Sequence, residues 1–78
     1  MRFEERMKSA LLERAVSHAV LRGRKNPVRT ARNLAEMASH LWQRPAPEPD
    51  DPALTRMAEA LEAGDREGLL TLLYGKKE

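Results

Sequence analysis

Apolar residues in the stretch NPVRTARNLAEMASHLWQ, positions 26–43, return every three or four places. Val28, Ala31, Leu34, Ala35, Ala38, Leu41 and Trp42 share one side of a helical wheel, with Met37 at its margin. Arg29, Arg32, Asn33, Glu36, Ser39, His40 and Gln43 share the other. This periodicity predicts an amphipathic helix over 27–43. Asn26 stands where an N-cap side chain belongs. Pro27 suits the first helical position, where its missing N–H has no partner to lose.

Positions 3–22 hold no proline or glycine and are rich in Ala, Leu, Glu, Arg and Met, which predicts a long first helix. Its apolar girth is wide. Phe3, Met7, Ala10 and Leu21 lie along one line, and Leu11, Leu12, Ala15, Val16, Ala19 and Val20 cover much of the rest. Arg6, Ser9, Glu13 and Ser17 form a narrower polar strip. A helix apolar over so much of its circumference is expected to be covered from more than one side. Gly23 is expected to end it in the left-handed conformation, with Arg22 at the negative end of its dipole. The connection to position 26 is short, so the first two helices should be neighbours, with Ala31, Ala35 and Ala38 allowing close approach.

The segment QRPAPEPDDP, 43–52, carries four of the five prolines. Helix cannot pass through it, and 44–51 reads as an extended connection. Asp50 or Asp51 should then cap a third helix over 52–63, with Leu54, Met57, Ala58 and Leu61 as its stripe. Gly64 closes that helix, and Asp65 caps a fourth over 65–74, apolar nearly all round through Leu69, Leu70, Leu72 and Leu73. Gly75 should end the fourth helix, leaving 76–78 as a tail. No internal repeat or alternating strand pattern competes. The expected fold is all-α, one domain over 1–78, a small bundle of about four helices.

Composition bounds the function. With no cysteine, there is neither a disulfide nor a thiolate metal site. Neither a signal-peptide apolar region nor a run of roughly 18 apolar residues is present, so the expected location is the cytoplasm, without membrane insertion. Net charge is only +2, but it is unevenly spread. No acidic residue occurs between Glu13 and Glu36, where Arg14, Arg22, Arg24, Lys25, Arg29 and Arg32 lie, and acidic residues dominate from Glu48 onward. Arg22, Arg24, Lys25, Arg29 and Arg32 therefore form a basic corner that can meet phosphates without reading sequence. Against that stands a plain solvated helix end, with Arg32 paired to Glu36. A helix-turn-helix fits poorly, because Arg29 and Arg32 fall where that motif buries apolar residues.

Catalytic and metal chemistry find little support. Glu36 and His40 are one turn apart but need a third ligand, and His18 should lie on the order of 10–15 Å away at 1.5 Å of rise per residue. His40 is expected in solvent and His18 at the edge of the core. Glu4–Glu5 and Asp50–Asp51 are sequence neighbours that do not face one another, and the aspartates read as caps. No catalytic, metal or cofactor-binding residue is assigned, nor a small-molecule substrate. Trp42 is expected as a core anchor packed on Pro45 or Pro47, with an exposed binding anchor as the alternative. The proline run is also a weak candidate for an aromatic groove. The favoured reading is a non-catalytic helical interaction module, a homodimer or the subunit of another protein, meeting its partner through Leu12, Val16, Val20, Trp42, Leu69 and Leu72. The alternative is a small nucleic-acid-binding regulator that uses the basic corner.

Overall fold

Four amphipathic segments separated by a proline run and two short turns leave the chain one economical arrangement, in which each helix turns its apolar stripe to a shared centre. The computed structural model describes residues 3–74. It contains α1 (Phe3–Arg22), α2 (Pro27–Trp42), α3 (Pro52–Ala63) and α4 (Arg66–Tyr74), with no strand among the described residues. The expected all-α bundle is what forms. Gly75 and residues 76–78 lie outside the described part of the chain. No helix described is long and apolar enough to cross a membrane.

The core is built from all four helices. Leu12, Val16, Leu61 and Leu69 are its largest fully buried side chains, joined by Leu34, Leu54, Met57, Leu70 and Leu73 and by Ala19, Ala31, Ala35, Ala38, Ala58 and Ala60. Each large aliphatic side chain buried this way contributes about 1.5–3 kcal/mol. α2 makes its most extensive contacts with α3, not with α1, and α3 makes its next most extensive with α4. Ala35 and Ala38 take part in the approach to α3, which sequence position alone does not suggest. Ala35 and Ala38 face Ala53 and Met57 of α3 across a shallow groove under the proline segment.

Helix ends follow local chemistry, with three departures from expectation. The Asp51 carboxylate accepts the Ala53 N–H at 2.9 Å, and Asp65 accepts the Gly68 N–H at 2.9 Å, so both aspartate caps form. Asn26 makes no side-chain cap bond; only its carbonyl takes part, accepting the Thr30 N–H at 3.0 Å. Gly23 is not left-handed. Its role is steric, because an added Cβ would lie 2.7 Å from Thr30 Cγ2 and 2.9 Å from the Ala19 carbonyl oxygen. The Thr30 hydroxyl donates to the Gly23 carbonyl at 3.0 Å, so the start of α2 is seated directly on the turn.

The third departure is at the end of α2. Gln43, expected inside the helix, sits just past it with φ of 52°. The Arg44 N–H then returns to the Ser39 carbonyl at 2.9 Å. α3 closes the same way through Gly64 at φ of 72°, with the Asp65 N–H bonded to the Ala60 carbonyl at 2.8 Å. One left-handed closure thus uses glycine and the other uses glutamine.

The proline segment is fastened at several points. Ser39 Oγ donates to the Pro45 carbonyl at 3.3 Å, and the Asp51 N–H closes a turn onto the Glu48 carbonyl at 3.0 Å with Pro49 at its second position. Arg44 reaches from the start of the segment to the C-terminal end of α4, donating to the Leu73 carbonyl at 2.8 Å and the Tyr74 carbonyl at 3.3 Å. These are carbonyls a helix end leaves without intrahelical partners. Trp42 is half-buried against the core, as a core anchor at this helix end should be. It meets Tyr74 edge-on at 5.8 Å between centroids, with the Arg44 guanidinium 5.9 Å from its ring centre, and donates to Glu5 at 3.3 Å.

Candidate interaction surface

α1 has two apolar faces, and the other described residues cover one of them. Leu12, Val16 and Ala19 face the core, with Ala15 and Val20 at its edge. At about 100° per residue, Phe3, Met7, Ala10, Leu11 and Leu21 lie on the opposite side, with Arg14 and His18 between them. Exposure follows that division. Phe3 is 74% exposed, Met7 49%, Leu11 45% and Leu21 81%. Among the described residues, α1 is covered from one side and not from more than one as expected.

This overturns part of the sequence-based interface. Leu12, Val16 and Leu69 are fully buried in the chain's own core, where no partner can reach them. Their faces are occupied by neighbouring helices of the same bundle. Val20, Trp42 and Leu72 are half-buried. The apolar residues of α1 can be counted from the sequence, but the ones that turn outward are Phe3, Met7, Leu11 and Leu21. A signal was present. The line through Leu12, Ala15, Val16, Ala19 and Val20 is unbroken, as a core face should be. The line through Phe3, Met7 and Leu21 is interrupted by Arg14 and His18, which favour water.

Polar residues on the inward flanks of α1 fasten the bundle. Ser17 Oγ accepts from Arg66 Nε at 2.9 Å, and Glu13 accepts from the Tyr74 hydroxyl at 3.5 Å. None of these bonds uses the outward stripe, which stays exposed along most of α1. At His18 the stripe borders a shallow groove between α1 and α2, lined by Ala15, Ala19, Thr30, Leu34 and Met37.

The basic corner is divided in use. Arg22, Arg24, Lys25, Arg29 and Arg32 are all exposed. Arg24, however, donates from Nη2 to the Glu62 carbonyl at 2.9 Å, bridging the α1–α2 turn to the last turn of α3. Its guanidinium thus belongs to the fold. The expected Arg32–Glu36 pair does not form, since the ion pair present among the described residues is Arg66–Glu67 at 3.5 Å. That pair is exposed and contributes little. Arg22, Lys25, Arg29 and Arg32 therefore stand exposed, with no carboxylate of the described residues within 4.0 Å.

His18 and His40 are both exposed, so His18 lies farther out than the core edge expected for it. No group of three or more metal-binding side chains gathers among the described residues. Comparison with protein-family models, with curated proteins and with solved structures finds no match for this chain.

Proposed function

We propose that this chain is a small, non-catalytic helical interaction module that works by self-association, with α1 as its contact element. The observation that carries this reading is the outward stripe of α1, four large apolar side chains on one helix face turned away from the core. Apolar residues scattered singly over a surface need no explanation. A line of them along a single helix is the kind of patch that marks an interaction site. Solution mass tests the reading. Light scattering across a concentration series should show the average mass rising from that of one 8.9 kDa chain toward two. A single-chain mass at every concentration would overturn it.

A second reading rests on the four exposed cations of the basic corner that pair with no carboxylate among the described residues. Under it, the chain binds polynucleotide through phosphate contacts, and affinity falls steeply as salt rises. Replacing Arg22, Arg29 and Arg32 together by alanine should then abolish fluorescence-anisotropy binding to a labelled oligonucleotide. The self-association reading predicts no such binding in either protein.

A further inference from the structure

We infer that the partner of α1 is a second copy of the same helix, laid antiparallel along the outward stripe, with Phe3 of one chain beside Leu21 of the other. This rests on the self-association reading and adds the surface, the orientation and the register.

The stripe is long enough and nearly large enough. α1 has 20 residues, about 30 Å at 1.5 Å per residue. Taking roughly 150–200 Å² for a whole Phe, Leu or Met side chain, the stated exposures leave on the order of 400 Å² of apolar surface per chain. Two such faces, with Ala10 and the Arg14 stem, reach about 1,000 Å². That is the low end of specific interfaces. The geometry therefore specifies a weak, concentration-dependent dimer.

Charge selects the orientation. α1 begins with Glu4 and Glu5 and ends with Arg22, after which come Arg24 and Lys25. A parallel pair would set each basic end beside its own copy and place Arg14 against Arg14 in the middle of the contact. An antiparallel pair avoids both. With Phe3 opposite Leu21, Arg14 falls opposite Ala10, whose small side chain leaves room for the arginine stem to lie flat and its head to reach water. Glu4 and Arg22 lie about 1,800° apart at 100° per residue, a whole number of turns, so they occupy the same flank of the stripe. An antiparallel pair brings same-flank positions together, so each chain's Glu4 approaches the other's Arg22. Two-fold symmetry forms that pair twice. The helix dipoles also oppose in this arrangement.

Core residues take no part, so the test can spare the fold. Met7→Glu and Leu11→Glu replace exposed side chains with good helix formers. Each should leave the helical circular dichroism unchanged and weaken dimerisation at least tenfold by sedimentation equilibrium. Glu4→Arg should weaken it about threefold, the equivalent of two exposed ion pairs at the low end of their range. The swap Glu4→Arg with Arg22→Glu should restore the native value. In a parallel pair Glu4 and Arg22 lie a helix length apart, so Arg22→Glu has no means of offsetting Glu4→Arg. Arg14→Leu should tighten the dimer several-fold by completing the stripe. A native dimer indifferent to Met7→Glu and Leu11→Glu would overturn this surface while leaving self-association standing. Loss of dimer with Met7→Glu but indifference to Glu4→Arg would overturn the antiparallel register. A strictly single-chain mass for the native protein would overturn both readings together.

Discussion

Removing Arg44 should loosen the molecule more than its exposed position suggests. Its side chain makes three contacts that truncation to alanine deletes. The bond from Nη2 to the Leu73 carbonyl is 2.8 Å and partly buried; a charge-assisted bond of this kind contributes about 1.5 kcal/mol. The bond from Nη1 to the Tyr74 carbonyl is 3.3 Å and exposed, for which about 0.5 kcal/mol is appropriate. The guanidinium 5.9 Å from the Trp42 ring centre adds about 0.5 kcal/mol at an exposed site. One ordered side chain makes all three, so its entropy cost is incurred once, and about 2 kcal/mol is a reasonable net loss for Arg44→Ala.

With a urea slope of roughly 1 kcal/mol/M for a chain this small, the unfolding midpoint should fall by about 2 M. Arg44→Lys keeps a cation near the C-terminal end of α4 but loses the fork, so it should recover no more than about half. The probe is already in place, since the chain's single tryptophan packs against Arg44 and Tyr74. Trp42 fluorescence and far-ultraviolet circular dichroism should move together if the bundle unfolds as one unit. A loss below about 0.5 kcal/mol for Arg44→Ala would refute the reasoning, because ordinary surface substitutions fall in that range.

Two further outcomes follow from the helix ends and from the two faces of α1. Gln43→Gly should stabilise the protein by about 0.5–1 kcal/mol in urea titration, since it relieves a left-handed residue at φ of 52°. Gly64→Ala should destabilise it by about 1 kcal/mol, although open space surrounds its Cβ, because φ there is 72°. Leu12→Ala should cost about 3–4 kcal/mol through a cavity in the core, whereas Leu11→Ala should cost less than about 1 kcal/mol when the protein is dilute. Equal costs for the two leucines, measured by thermal unfolding at low concentration, would mean that the inward and outward faces of α1 are wrongly assigned.

Helix positions were legible because they depend on local terms. Asp51 and Asp65 act as caps within three residues of themselves, and the prolines at 45, 47 and 49 forbid helix whatever surrounds them. Gly23 and Gln43 depart from their local signals for two different reasons. A glycine after a helix is usually there for its backbone freedom, and only the approach of Thr30 reveals a steric purpose. A glutamine has no preference for left-handed backbone, and the Arg44-to-Ser39 bond holds Gln43 there. The candidate surface was half legible. The apolar excess of α1 can be counted from the sequence, but which face the bundle covers depends on how α2, α3 and α4 pack. The arginines of the basic corner were visible as charge, whereas the engagement of Arg24 with Glu62 spans 38 residues and depends on tertiary placement.

Arg24 and Arg44 share a feature that bears on how this chain can change over generations. Each crosses to another helix and grips a main-chain oxygen, at Glu62 in one case and at Leu73 and Tyr74 in the other. Every amino acid carries that oxygen. The receiving positions can therefore drift in identity without loosening the grip, while the two arginines cannot. Two homologues could keep the same fastening and show no correlated substitution to betray it.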